Sequence, residues 1–309
     1  MGLGEVGWSW LVYLIVLPVT VVTYARLPAG STYHFNGTGM VDGGLSRTVT
    51  ELDYPVAIGA VALALICFAR LGGVRAGALA LLAVGSCAIA FWPGVVSQAD
   101  LTARSVNAAP AVGCVVALGL AVAAIRVCGG RMISGRTSWD RVRVLLALAF
   151  VLWSIPWIWA AFGSYVSGTP VLGQLFRARQ PTPGEPGLAS VHLGLHEGLA
   201  GTQMVLVALL LSRTLRTLGA RPRLRAAVSC YLALLLCYGA VVAANDGWNE
   251  QLVKRGLVGF QLPYLLVPSV GPGWAGLLVA ALLVHLLWFR REYRRSPITL
   301  GLRAAPARS

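Results

Sequence analysis

Acidic residues are scarce in this chain. Its 309 residues hold 11 Asp and Glu against 25 Lys and Arg, and charge of both signs makes up only 12%. A soluble domain carries about 25% charged residues, so a water-exposed fold of this length lacks the polar residues to cover it. Lysine is nearly absent: Lys254 stands beside 24 arginines. That bias, with abundant Ala and Gly, is a compositional association that points to a GC-rich bacterial genome. Paired cysteines are lacking too. Cys67, Cys87, Cys114, Cys128, Cys230 and Cys237 all fall within or at the ends of apolar runs, and no two-residue gap marks a zinc or redox motif. They read as small buried apolar residues, and no structural disulfide is expected. A Gly-x-Ser-x-Gly nucleophile elbow and a phosphate-binding glycine loop are also missing. No internal repeat supports an inverted-repeat transporter.

What the chain has is apolar length. It is 57% hydrophobic, and the apolar residues gather into runs of roughly 18–22, the length that crosses a hydrocarbon core of about 30 Å. Eight runs cover about 8–25, 55–71, 76–94, 108–128, 142–162, 188–212, 226–244 and 273–290. Backbone polar groups must be paired in lipid, and the runs lack the short alternation of barrel strands. The expected fold is therefore all-α: a polytopic membrane bundle of eight helices, forming one domain over 1–295, with a mobile cytoplasmic tail over 296–309. "MGLGEVGWSW" carries an acid and no base, so the first run reads as a retained span rather than a signal peptide.

Charge orients the bundle. With the amino terminus in the cytoplasm, the inner segments hold 18 arginines against three acids, Glu5, Asp140 and Glu292. The outer loops balance seven basic against seven acidic residues, and Glu197 lies within a span. This is the positive-inside pattern, and it places both termini in the cytoplasm. The basic excess calls for anionic lipid heads rather than nucleic acid. Among the outer loops, 26–54 contains an Asn36-Gly37 turn signal and 163–187 contains the helix-breaking "PTPGEPG". Loop 245–272 is expected to open with a short interfacial helix presenting Trp248 and Leu252, followed by a proline-broken re-entrant or surface-lying stretch. Trp153, Trp157 and Trp159 around Pro156 read as an aromatic belt at a kink. His285 reads as an interfacial residue near the inner headgroups.

The sixth run carries the one concentration of polar chemistry, "LASVHLGLHEGLAG" over 188–201. On a helical wheel His192 and His196 fall about 40° apart, with Gln203 between them in angle. Gly187, Gly194, Gly198 and Gly201 share the opposite face, where Gly194 and Gly198 form a GxxxG packing pair. Two imidazoles at i and i+4 can hold one divalent metal such as zinc, which needs a third ligand from elsewhere. They can equally hydrogen-bond across helices or bind a ligand or proton without metal. The zincin pattern fails at Ala200. Polar groups this deep must face the bundle interior or an outward wet cleft. The expected site therefore joins His192 and His196 as ligands or bases, Glu197 and Asp246 as acid/base groups, and Gln203, Asn245 and His34 as further binding residues. The function expected of it is binding, or metal-assisted hydrolysis or transfer, of a lipidic or small extracytoplasmic substrate. The rivals are a transporter and a non-catalytic subunit that packs on a partner or a second copy through the glycine face.

Overall fold

The computed structural model describes residues 3–27, 32, 34–97, 100–163, 193–254, 256–263 and 265–295. Among them the chain is helical, with no strand. Helical runs occupy Gly4–Arg26 (α1), Gly39–Leu71 (α2), Gly73–Phe91 (α3), Ser105–Cys128 (α4), Ser138–Trp153 (α5), Ile155–Ala161 (α6), Glu197–Thr217 (α7), Pro222–Val253 (α8) and Pro272–Arg295 (α9). Seven are long and apolar enough to cross a membrane, or eight when α5 and α6 count as one span bent by 54°. The bend falls where expected. Pro156 has no N–H to give and its ring crowds the preceding turn, so α5 ends at Trp153 and α6 restarts at Ile155.

Two helices form the centre. In α7 83% of the apolar window is buried and in α2 78%, against 22% in the peripheral α3. Helix α7 packs most extensively on α8. Glycines permit it: a Cβ on Gly201 would lie 2.6 Å from Gly239 O, and one on Gly239 would lie 2.6 Å from Gly201 O. Without a strong hydrophobic force between helices in lipid, such close backbone approach is what holds them.

Several loop expectations are corrected. The stretch from Gly39 to Asp53, expected as loop, is helical and leads into the second span. The internal break in α2 is Tyr54, at φ −151° and ψ 114°, because a following proline pushes a residue out of the α region. The expected interfacial helix at 245–253 is the uninterrupted end of α8. Beyond it, residues 256–263 and 265–271 are irregular, and side chains tie down their backbone. Asn245 donates to Pro263 O (2.7 Å), Asn249 to Leu262 O (3.2 Å), Tyr238 to Leu266 O (2.6 Å), Trp248 to Phe260 O (3.1 Å) and Trp274 to Val267 O (3.0 Å). Trp157 is fully buried rather than part of a belt. His285 is buried as well, its Nδ1 2.9 Å from Ser229 Oγ on α8. The loop over 164–187 and the tail over 296–309 lie outside the described residues.

One end of the bundle is closed by charge. Arg213 Nη1 donates to Glu5 Oε1 (2.9 Å), and the Glu5 carboxylate also accepts the Ile133 N–H. Arg213 Nε lies 3.2 Å from Asp140 Oδ1. Arg143 reaches both Asp140 (3.0 Å) and Glu292 (2.5 and 3.0 Å), with Ser212 Oγ accepting from its Nε. Thr137 Oγ1 completes Glu292 (2.9 Å). All three acids assigned to the inner face meet here, and they tie α1, α5, α7 and α9 together at the arginine-rich end.

Candidate functional site

The site forms at the opposite end, where α7 begins. The sequence pattern extends this helix back to residue 188, but the structure starts it at Glu197. Residues 193–196 are not helical: Gly194 has φ +113° and His196 is extended at φ −115°, ψ 148°. Gly194 N–H donates to Ala160 O (2.8 Å) and Leu195 N–H to the Tyr24 hydroxyl (2.9 Å). The expected i, i+4 imidazole pair needs helix between its members, and that helix is absent. His192 itself lies outside the described residues. The GxxxG ridge fails for the same reason, since Gly194 precedes the helix. Both glycines face the chain's own aromatic residues: a Cβ on Gly194 would lie 2.5 Å from Tyr24 OH, and one on Gly198 2.3 Å from Trp157.

The helix start is set from a distance. The first turn of any helix leaves N–H groups without partners and a partial positive charge. Asp246, near the end of α8, supplies the acceptor: its Oδ2 takes the Gly198 N–H at 2.8 Å. The same oxygen lies 3.9 Å from His196 Nδ1. His196 and Asp246 are both buried, 5% and 7% exposed. The fold thus brings together His196, Glu197 and Asp246, three of the residues singled out in the sequence. Glu197 is in electrostatic reach of Asp246, Arg47, Tyr54 and Tyr238.

Arg47 is the member that sequence reasoning assigned only to a loop. It is buried, donates from Nη1 to Thr50 Oγ1 (2.6 Å) and lies 5.6 Å above the Tyr24 ring. Glu51, one turn on, is buried too. The i, i+4 spacing in "SRTVTE" is the signal for this pair, and hydropathy masks it because the stretch is polar.

The remaining expected residues are placed elsewhere. Gln203 is buried and donates from Nε2 to Val12 O (3.1 Å), joining α7 to α1. Asn245 holds Pro263 O, as above. His34 is exposed at φ +48° in the stretch before α2. Among the described residues no three His, Cys, Asp or Glu side chains gather as a metal-ligand group.

The structure also holds an apolar cavity of about 160 Å³. Its walls include Tyr54, Tyr238, Tyr231, Trp92, Trp274 and Leu235. Tyr238 donates to Leu266 O, so the 3.3 Å contact between its hydroxyl and that of Tyr54 is donated by Tyr54. Phe91, Trp92 and Val267 in its lining are exposed. No protein-family model, curated protein or solved structure matches this chain.

Proposed function

We propose that this is a multi-pass membrane protein of the bacterial cell membrane that binds an amphipathic, lipid-like ligand from the outer leaflet. The apolar part enters the aromatic cavity and the polar part meets Arg47, His196, Glu197 and Asp246. The observation that carries this reading is that Tyr54 and Tyr238, which line the cavity, lie in electrostatic reach of Glu197. Ligand pockets are mostly apolar with a few convergent polar groups, and this arrangement has both.

The His196–Asp246 pair gives the site chemistry as well as affinity. Asp246 Oδ2, 3.9 Å from Nδ1, is close enough to favour a protonated imidazole through charge attraction. Acid–base catalysis on a polar headgroup is the reaction class that fits. The inner part of α7 supports a closed site over a through-path: between Gln203 and Ser212 it buries Met204, Val205, Val207, Ala208, Leu209 and Leu211.

Native mass spectrometry of protein extracted in mild detergent tests the binding. The expected result is one retained amphiphile per chain, lost in Ala90→Leu, which fills the cavity. In Asp246→Asn retention should fall roughly tenfold, the cost of a charge-assisted bond. Equal lipid load in all three proteins would overturn the reading.

A further inference from the structure

The acids at the arginine-rich end do not use up its cations. Glu5, Asp140 and Glu292 are taken by Arg213 and Arg143, and residues 296–309 contain no Asp or Glu. Positive charge stays in excess at the start of α8, around Arg221, Arg223 and Arg225. Among the described residues neither Arg221 nor Arg225 forms an ion pair. Arg225 Nε is buried with no hydrogen-bond partner.

Aromatic rings hold both guanidiniums in place. Arg221 Cζ lies 4.6 Å from the centroid of the Phe68 ring on α2, and Arg225 Cζ lies 4.4 Å from that of Tyr293 on α9. Such contacts attract a cation to the ring face and leave the N–H donors at the edge of the guanidinium. Side-chain freedom that a ligand would otherwise have to remove is already reduced. The two arginines stand one turn apart on α8, where side chains are neighbours, so one oxyanion can accept from both. Arg221 also reaches the turn between α2 and α3. Its Nη2 would lie 3.3 Å from a Cβ on Gly72, and Arg70 and Arg75 flank that glycine in the chain.

Cations gathered this closely repel one another. The helix start adds to the repulsion, since it carries partial positive charge and α8 has neither an acid in its first turn nor a side-chain cap. The cluster lacks a negative group, and its surroundings indicate which kind. Val74, beside Arg75, is exposed, as are Ala227 and Cys230 on the turns of α8 that follow Arg225. The arginines therefore border apolar surface, on which an acyl chain can lie while a phosphate meets the guanidiniums.

We propose that the junction of α2, α8 and α9 binds one anionic phospholipid from the leaflet at this end. Its phosphate accepts from the edges of Arg221 and Arg225, in the charge-assisted geometry that arginine forms with phosphate. Its chains run along α3 and α8. A zwitterionic lipid fits less well, because its ammonium group meets Arg70, Arg75 and Arg223. This differs from the general attraction of a basic surface for acidic lipid, because lysine cannot replace a stacked guanidinium fork. The site is separate from the aromatic cavity and from the His196–Asp246 cluster.

Native mass spectrometry of the delipidated full chain tests it, with equal amounts of phosphatidylglycerol and phosphatidylcholine added. The expected result is one phosphatidylglycerol per chain, preferred over phosphatidylcholine by roughly tenfold. Arg221→Ala/Arg225→Ala should abolish the preference. Arg221→Lys/Arg225→Lys keeps the charge, melts with the parent in lipid-free detergent, and should still lose roughly tenfold in retention. Arg291→Ala/Arg294→Ala removes as much charge from exposed positions on α9 and should leave retention unchanged. Parent-like retention in the lysine pair would overturn the site, and so would equal losses in the two alanine pairs or no preference in the parent. Phosphatidylglycerol lost instead in Ala90→Leu would put the lipid in the aromatic cavity and sink this inference alone.

Discussion

The two ends of the bundle both bury ionisable side chains, and they do so differently. At the arginine-rich end Glu5, Asp140 and Glu292 each lie against a guanidinium, from Arg213 or Arg143. At the opposite end the carboxylates of Glu51, Asp53, Glu197, Asp246 and Glu250 share the region with Arg47 and Lys254. One end is balanced and tied helix to helix. The other carries an acid excess held partly by backbone, as Asp246 is by Gly198 N–H, and partly by amides, as Asp53 is by Asn107. Buried ionisable groups therefore tie helices together at one end and outnumber their cationic neighbours at the other. Perturbed ionisable groups cluster at functional sites for this reason.

Mutations that break the contrast rank by which end they touch. The largest effect is expected from Arg143→Leu, which leaves the buried Glu292 and the half-buried Asp140 without their shared guanidinium. Removing one partner of a buried pair costs about 3–5 kcal/mol, so the variant should unfold at markedly lower denaturant in a reversible detergent assay. Gly201→Leu comes next. Its side chain meets the α8 backbone within 3 Å, and such overpacking costs roughly 1–3 kcal/mol, read as a lowered melting temperature. Asp246→Asn is expected to be milder still, at about 1 kcal/mol or less, because the amide oxygen keeps the bond from Gly198 N–H. Ligand retention should nonetheless fall with it. An Asp246→Asn protein as unstable as Arg143→Leu would erase the distinction between the two ends. The smallest effect belongs to His34→Ala, an exposed position, where stability and lipid retention should both stay at wild-type values; a clear loss of either would extend the site to the stretch before α2.

The spans were largely legible from hydropathy because lipid allows few alternatives. The run at 108–128 appears as α4 from Ser105 to Cys128, and Pro156 marks the bend between α5 and α6. The site was legible in its members and not in its geometry. His196, Glu197 and Asp246 stand out as polar residues in apolar surroundings, yet the start of α7 is fixed by a carboxylate from α8 that no local pattern reveals. The apolar "LGL" over 193–195 continues the hydropathy of the helix without continuing the helix. The opposite error occurred over Gly39–Asp53, where a polar stretch folds as helix because Arg47 and Glu51 point into the bundle. Hydropathy reports contact with lipid, and it is blind to polar residues that face other helices.

The irregular segment after α8 has a consequence for how a guest gets in. Leu266, Val267 and Pro268 form part of the cavity wall, and side chains of Asn, Tyr and Trp moor that stretch in place of a helical ladder. Its amides are expected to exchange with deuterium well ahead of those in α7 and α8. The dimensions of the chamber then follow from a handful of rotamers rather than from the spacing of rigid rods, so guests of different girth can be accommodated while the frame around them stays still.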